Sequence, residues 1–374
     1  MPLFVLSDLH LADDTVVSMF DEDVQGKKIV ALCDRVAREK DAELVLLGDV
    51  FDLTAMTPPP GGVAKFGAKM GVDLVDLPAR SAVDMCASAR RPHERTLKAI
   101  DDLASGVTVT LVPGNHDHHF GAVDGRAALD AAGLRHVRIE PETVRTLGGR
   151  VVLLQHGHAL DPDNAEPSGK GEMLTRVLHH AVVPMLQKIP RPPNVPVDPA
   201  RLVLLRPEER MMPVLERWLS RSQYEAFMPA FLDLLVLVGS LSSVESWFAT
   251  PARLRERLDD ADHLWERTGT HARDALRGLG GISGSIPRPD VVVLGHTHVP
   301  DWAVEGGKDD GGAAERQRLY VNLGSWTARA NDALGPFDDT LPVLRIEDGP
   351  SGLSATFEEL SERAVLGRFE SSAT

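Results

Sequence analysis

The chain has 374 residues, 43% hydrophobic and 25% charged, enough to bury a substantial core in one large domain or one domain with insertions. Its 40 Lys and Arg against 55 Asp and Glu leave a net charge of -15, which argues against a nucleic-acid or anionic-membrane surface as the main role. Cys33 and Cys86 are the 2 cysteines; they allow neither a disulfide framework nor a CxxC zinc knuckle, and a reducing compartment is expected.

The first predicted element is a strand, Leu3 to Leu6, which delivers Ser7-Asp8-Leu9-His10. Met1 to Leu6 has no basic start before Asp8, so no secretory signal is read and a cytoplasmic location is expected. Asp8 and His10 lie two apart, on one side of an extended chain. Gln25 to Lys40 has helical spacing through Ile29, Leu32, Cys33 and Val36, and Cys33 is read as core. A second strand, Ala42 to Leu47, delivers Gly48-Asp49-Val50-Phe51-Asp52. The Gly- and Pro-rich stretch 54–92 reads as a loop excursion beside this cluster.

A helix from His93 to Ala104 leads to the third strand, and the stretch from Val109 to Asp117 ends in Gly114-Asn115-His116-Asp117. Glu142 to Leu147 and Arg150 to Leu154, joined at Gly148-Gly149, read as a hairpin whose second strand runs into Gln155-His156-Gly157-His158. Residues 160–289 carry little strand signal. Helical segments are read at Gly171 to Gln187, Pro207 to Phe227, Phe231 to Phe248 and Pro251 to Leu279, which makes the stretch a mostly helical insertion serving as a lid or an oligomerisation subdomain. Its apolar run from Ala226 to Leu241 contains Pro229 and Asp233 and falls short of a membrane span, although it offers a surface for peripheral lipid contact or a homo-oligomer. The sheet resumes at Asp290 to Leu294, delivering Gly295-His296-Thr297-His298, and at Arg318 to Leu323, delivering Gly324-Ser325-Trp326. One more strand is read in the tail after Glu347.

Singly, each polar cluster has a plain reading as turn chemistry or a helix cap. Five strand ends in succession that each carry Asp, His or Asn among small residues do not arise from independent turn preferences. Oxygen and nitrogen donors without thiolate suit two divalent transition-metal ions, manganese first, with Fe, Zn, Co or Ni as alternatives. A carboxylate bridging two ions about 3.5–4 Å apart would make a hydrolytic centre that needs no amino-acid nucleophile.

SDLH, GDVFD, PGNHD, QHGH and GHTH, in that order, resemble the calcineurin-like metallophosphoesterase superfamily. The resemblance implies an α+β or α/β fold, a four-layer α-β-β-α sandwich of two mixed sheets, formed by one domain over 1–374. It implies that Asp8, His10 and His298 hold one metal, that Asn115, His156 and His296 hold the other, and that Asp49 bridges. His116 becomes the catalytic acid or transition-state donor and Asp52 the carboxylate that orients it. The substrate is then a phosphate ester: a phosphodiester, a pyrophosphate or a phosphomonoester.

SDLHL and GHTHVP look most like the UDP-2,3-diacylglucosamine pyrophosphatase branch, which resembles Gly-Asn-Arg-Asp where this chain has His116. Cyclic-nucleotide phosphodiesterase and nuclease readings stand beside it, the latter opposed by the acidic balance. A partner-binding scaffold with a structural metal site is the reading from another class. His118, His158, Asn322 and Ser325 are candidate substrate contacts; His119 is read as facing solvent or substrate, and His179 and His180 as surface or packing residues.

Overall fold

The computed structural model describes residues 1–161, 163–165, 167, 169–189, 198–205, 211–239, 289–307, 316–327, 341–349, 352–360 and 364–370. In chain order its strands are β1 (Pro2–Leu6), β2 (Glu43–Leu47), β3 (Thr108–Val112), β4 (Arg138–Ile139), β5 (Thr143–Leu147), β6 (Arg150–Leu154), β7 (Val291–Leu294), β8 (Pro300–Gly307), β9 (Arg316–Leu323), β10 (Pro342–Gly349), β11 (Gly352–Glu359) and β12 (Ala364–Glu370). They form a seven-stranded sheet in the order β12-β11-β10-β1-β2-β3-β4 and a five-stranded sheet in the order β5-β6-β7-β9-β8. Both are mixed. β1, β2 and β3 run parallel, as do β6, β7 and β9, while β10 to β12 and the β5 and β8 edges are antiparallel.

The apolar runs of β1, β2 and β7 are buried along their whole length because both faces of each sheet are covered. Alternation sorts their residues between two cores. Leu3, Val5, Val45, Leu47 and Val112 meet Val152, Leu154, Val291, Val293, Leu319 and Val321 between the sheets. Phe4, Leu6, Leu44, Leu46, Val109 and Leu111 point the other way, onto helices. Those helices are α1 (Lys27–Ala37), α2 (Leu53–Met56), α4 (Ala82–Ala89), α5 (Glu94–Ala104) and α6 (Gly125–Ala132), with α3 (Val63–Lys69) lying between α2 and α4 in sequence. Ile29, Leu32, Cys33 and Val36 make the buried stripe of α1. The outer face of the second sheet presents Leu153, Val292, Leu294 and Tyr320, met among the described residues by Leu160 and Ala303. The two-sheet sandwich is therefore the architecture the motifs imply.

The remaining helices are α7 (Lys170–Val177), α8 (Val183–Lys188), α9 (Met211–Trp218) and α10 (Arg221–Leu237). They share a third apolar cluster with Val63 and Phe66 of α3, so a segment of the 54–92 stretch packs with the helices of the 160–289 stretch. Two corrections to the sequence reading belong here. A π turn, Leu178–Val182, joins α7 to α8 within one predicted helix. The chain breaks at Ser220, whose hydroxyl and Gln223 side chain form a reciprocal cap, and α10 then runs on through Pro229. The predicted Pro251 to Leu279 helix, and the end of Phe231 to Phe248, fall outside the described residues.

More strands form than the pattern announces. The edge strand β8 contains Asp301, Trp302 and Glu305, and the C-terminal region forms β10, β11 and β12 in place of a single strand. These strands lie at sheet edges or bear one solvated face, so period-2 apolar runs are broken by charge. Among the described residues no helix is long and apolar enough to cross a membrane.

Leu46 is fully buried on the central strand β2 against the helices of the first layer. Leu46→Ala should lower the unfolding free energy by about 2–5 kcal/mol, read as a shifted urea midpoint with unchanged slope. An unshifted midpoint would show that this face is not load-carrying core.

Candidate metal centre

Because β1, β2 and β3 are parallel, and β6 and β7 are parallel, five strands of two sheets end at one edge, where an open α/β sheet places its ligands. The backbone stays paired beyond the strand ends: His10 N–H donates to Asp49 O at 2.9 Å, Leu11 N–H to Val50 O at 2.9 Å, and Asp52 N–H to Leu11 O at 3.0 Å. The chain also takes an unusual conformation here. The non-glycine residues with positive φ among the described residues are Asp8, His10, Asp49, His296, His298 and, elsewhere, Asp41. Left-handed backbone costs on the order of 1–3 kcal/mol per non-glycine residue, although Asp and His are among the types that tolerate it. Its concentration at five of the seven sequence-predicted ligands turns consecutive side chains inward.

The side chains converge. His10 Nε2 lies 3.1 Å from His298 Nε2 and 3.7 Å from Asp8 Oδ1, and His298 Nε2 lies 3.3 Å from the same oxygen. His156 Nε2 is 3.1 Å from Asp49 Oδ2, and His10 Nε2 is 3.8 Å from it. His296 Nδ1 is 3.1 Å from Asn115 Oδ1. Two triads, Asp8-His10-His298 and Asp49-His156-His296, each keep their ligand atoms within 4.8 Å of one another, and a third grouping of His10, Asp49 and His116 links them. All seven predicted ligands are thus drawn into one cluster, the two sheets tied across it by a bond from His296 N–H to Asp8 Oδ2 at 3.2 Å.

These residues fit a cation. Asp8 Oδ1 and His156 Nε2 are buried with no hydrogen-bond partner, one in each triad, which is costly unless a cation meets them. His156 Nδ1–H donates to Leu47 O at 2.9 Å, which leaves the Nε2 lone pair pointing at Asp49. Burial pushes the Asp49 carboxyl up, but His156, His116 and His10 outweigh it and hold it well below the usual carboxylate range. Burial likewise opposes protonation of His10, yet Asp52, Asp8 and Asp49 push it up to about 10; His156, against the same burial, is pushed up by Asp49 and Asp8 to about 9. In such a cluster protons and a divalent ion compete for the same nitrogens.

Beside the cluster stands a histidine pair of another kind. His116 Nδ1 lies 2.7 Å from Asp52 Oδ1, and Asp52 Oδ2 faces His10 Nδ1 at 3.4 Å. Asp52 is fully buried and also accepts from Ala55 N–H at 2.9 Å as the N-cap of α2, so three elements fix its orientation. Burial opposes it, but Asp52 and Asp49 raise the His116 imidazole, while His116 and His10 outweigh burial and hold Asp52 well below the carboxylate range.

The other candidates divide. His118, His158 and Asn115 line a cavity of about 20 Å³ with Asn164 and Glu172, next to the cluster. Burial beside His156 and His296 pushes His158 down to about 3, and burial beside His118 takes its stacked neighbour His119 to about 4, so both are neutral. Asn322 instead donates to Gly295 O at 2.9 Å and accepts from Gly324 N–H at 3.1 Å, and Ser325 donates to Asp8 O at 3.3 Å; both brace backbone behind the site. His179 and His180 are buried, and His180 Nε2–H donates to Ala55 O at 2.8 Å.

One residue escapes the sequence reading, and another does more than it says. Asp117, read as shaping its turn or starting the next helix, accepts from Gly114 N–H at 2.7 Å and also from Val50 N–H at 2.7 Å, with longer bonds from Asp49 and Phe51, so it welds the β2 loop to the β3 loop. Asp161 sits 3.0 Å from His296 Nε2. No strand-end spacing announces Asp161. Glycine matters most at Gly48 and Gly114: a Cβ would overlap His156 Nδ1 at the first and Asp49 Oδ1 at the second, and Gly48 has φ 84°.

A family model described as calcineurin-like phosphoesterase matches residues 1–300. No curated protein matches the chain. Solved structures similar to it include wild-type Vps29 complexed with zinc from Entamoeba histolytica, at 12% identity over 99% of this chain and 99% of that chain, TM-score 0.32. Another is a conserved uncharacterised protein, a predicted phosphoesterase, from Streptococcus pneumoniae TIGR4, at 12% identity over 99% and 97%, TM-score 0.32. A third is GAP50, the anchor in the inner membrane complex of Plasmodium, at 10% identity over 100% and 89%, TM-score 0.35. Likeness at these scores carries no weight for fold or function.

Loading a divalent ion at pH 7 should release protons, because imidazoles that titrate at about 10 and about 9 are protonated there and must give up a proton to ligate. Calorimetric titration with Mn²⁺ in buffers of different ionisation enthalpy reads this directly. Apparent affinity should rise with pH from 7 to 9; a heat that ignores the buffer would contradict it.

Proposed function

The chain belongs to the calcineurin-like phosphoesterase family, and on that premise we propose that it is a hydrolase of phosphoric esters working with two divalent ions. The observation that carries this reading is the convergence of two ligand triads on one strand edge, with Asp8 Oδ1 of one and His156 Nε2 of the other buried without a hydrogen bond. Asp8, His10 and His298 hold one ion, Asn115, His156 and His296 the other, and Asp49 lies between the two sets. A set of imidazoles, carboxylates and one amide suits Mn, Fe, Zn, Co or Ni, of which manganese is proposed first. Bound there, the ions supply charge for the phosphoryl oxygens and a water that ionises at neutral pH.

The protein's own groups do the rest. Asp52 takes Nδ1 of His116, so Nε2 is the nitrogen free to meet substrate, and the raised imidazole carries a proton to give to the leaving oxygen. The His116 side chain keeps 12% of its surface exposed, which leaves that edge open to an ester from solvent. Asp49 Oδ1 accepts from His116 N–H at 2.8 Å, fixing the histidine's backbone to the metal-binding carboxylate. His158, which burial keeps neutral, lines the cavity beside Asn115 together with His118, and both are proposed to offer hydrogen bonds to the ester.

For substrate, a phosphodiester, a pyrophosphate or a phosphomonoester each fits this chemistry, and the helices of the 160–289 stretch are proposed to shape the pocket that chooses among them. Their support is position: the stretch leaves the sheet directly after His156 and returns directly before His296, and its π turn bonds to α2 through His180.

Asp49→Asn and His156→Ala should remove bound metal and activity on a bis-aryl phosphodiester together, as should chelation. His116→Ala should keep the metals and lower kcat by roughly 10²- to 10⁴-fold. Metal analysis that finds the ions still present in Asp49→Asn would refute the bridging assignment. A panel of nucleotide-lipid pyrophosphates, cyclic nucleotides, phosphomonoesters and DNA then sorts the substrate class; inactivity on all of them with metal bound would favour the scaffold reading.

A further inference from the structure

His296 is held at both ring nitrogens. Nδ1 faces Asn115 Oδ1 at 3.1 Å, while Nε2 faces Asp161 Oδ2 at 3.0 Å. Asp161 belongs to no strand end. It closes the short 3-10 turn His158–Leu160 that follows His156, and it is 8% exposed. It is itself fixed: Asn164 Nδ2 donates to Oδ2 at 2.7 Å and Asp163 N–H donates to Oδ1 at 3.0 Å. A buried carboxylate aimed at the outer nitrogen of an imidazole does two things. It fixes the proton on that nitrogen, and it makes the opposite nitrogen a stronger electron-pair donor.

We propose that Asp161 is a positioning residue for one ion of the pair, keeping the His296 proton on Nε2 so that Nδ1 joins Asn115, His156 and Asp49 around that ion; this rests on the metal reading above. The residue lies where the chain leaves the sheet for the helical stretch, so the first turn of that stretch and the metal site are built from one carboxylate. The role asked of it is electrostatic. The bonds from Asp163 N–H and Asn164 Nδ2 need acceptors at Asp161 but not a negative charge.

The test is calorimetry of the full chain, stripped with chelator and titrated with MnCl₂, with thermal midpoints recorded beside it. Wild type should bind two ions. Asp161→Asn, close to isosteric but uncharged, should weaken one of them by 10- to 100-fold and leave the other unchanged, and Asp161→Ala should do at least as much. Asn164→Ala, which removes one bond that fixes Asp161 but leaves its charge, should weaken that ion less than Asp161→Asn does while lowering the midpoint. Wild-type affinity for both ions in Asp161→Asn overturns the proposal, and so does equal weakening in Asn164→Ala, which would make the turn rather than the charge responsible. Equal loss of both ions in Asp161→Asn overturns the assignment to His296. A wild type that binds no Mn²⁺ overturns the metal reading itself, and is seen before any variant is compared.

Discussion

Three carboxylates, Asp8, Asp49 and Asp52, sit at 0–1% exposure within reach of one another, and the balancing of that buried negative charge is the constraint on which the rest of the structure depends. Isolated, such groups would protonate or drive the loops apart. Here each is met from several directions. His10 faces all three, His156 faces Asp49, His116 faces Asp52, and His298 faces Asp8. Backbone amides add to this at Asp49 from His116 and at Asp8 from His296. Removing one member leaves a partner buried and unpaired, so the cluster stands or falls as a unit.

Holding it requires conformations that the local chain does not prefer. Asp8, His10, Asp49, His296 and His298 all have positive φ. At on the order of 1–3 kcal/mol each, this strain is comparable to the burial of a few core side chains, at about 1.5–3 kcal/mol apiece. The sandwich supplies far more than a few. Leu6, Leu47, Val112, Leu154 and Leu294, the last strand residues before the loops, are all buried, so each strained loop starts from an immobile anchor. Trp326 closes the back, its backbone N–H bonded to Asp8 O at 3.0 Å and its indole to Pro342 O at 2.8 Å.

Among the described residues, the 160–289 stretch reaches this edge through His180 and Asp161 in particular. His180 bonds the α2 backbone at Ala55, one turn from the Asp52 side chain that caps α2 and orients His116. Asp161 bonds His296. Chemistry is thus fixed by the sheets, while the segments that would meet a leaving group are attached to the same few carboxylates and histidines.

The ligand set was legible in the sequence because a strand's period is short and its end is abrupt: four to six apolar residues followed by Gly and a polar donor announce both the strand and what it presents. The buried parallel strands β1, β2, β3, β6 and β7 were visible for this reason, and β8, β4 and two of the three C-terminal strands were not, since edge strands and half-solvated faces carry no such run. The pairing of His116 with Asp52 followed from the motifs' likeness to a known family rather than from spacing. What only the tertiary structure decided are relations between residues far apart in the chain. Asp117 reaches the amides of residues 49 to 51, Asp161 reaches His296, and Asn322 and Ser325, which sequence position made substrate contacts, brace the backbone of Gly295 and Asp8. A carboxylate's partner is set by where folding brings a donor, and local pattern holds no record of that; the sequence therefore determined the donors and the strand ends that carry them, and the packing of two sheets decided which donors meet.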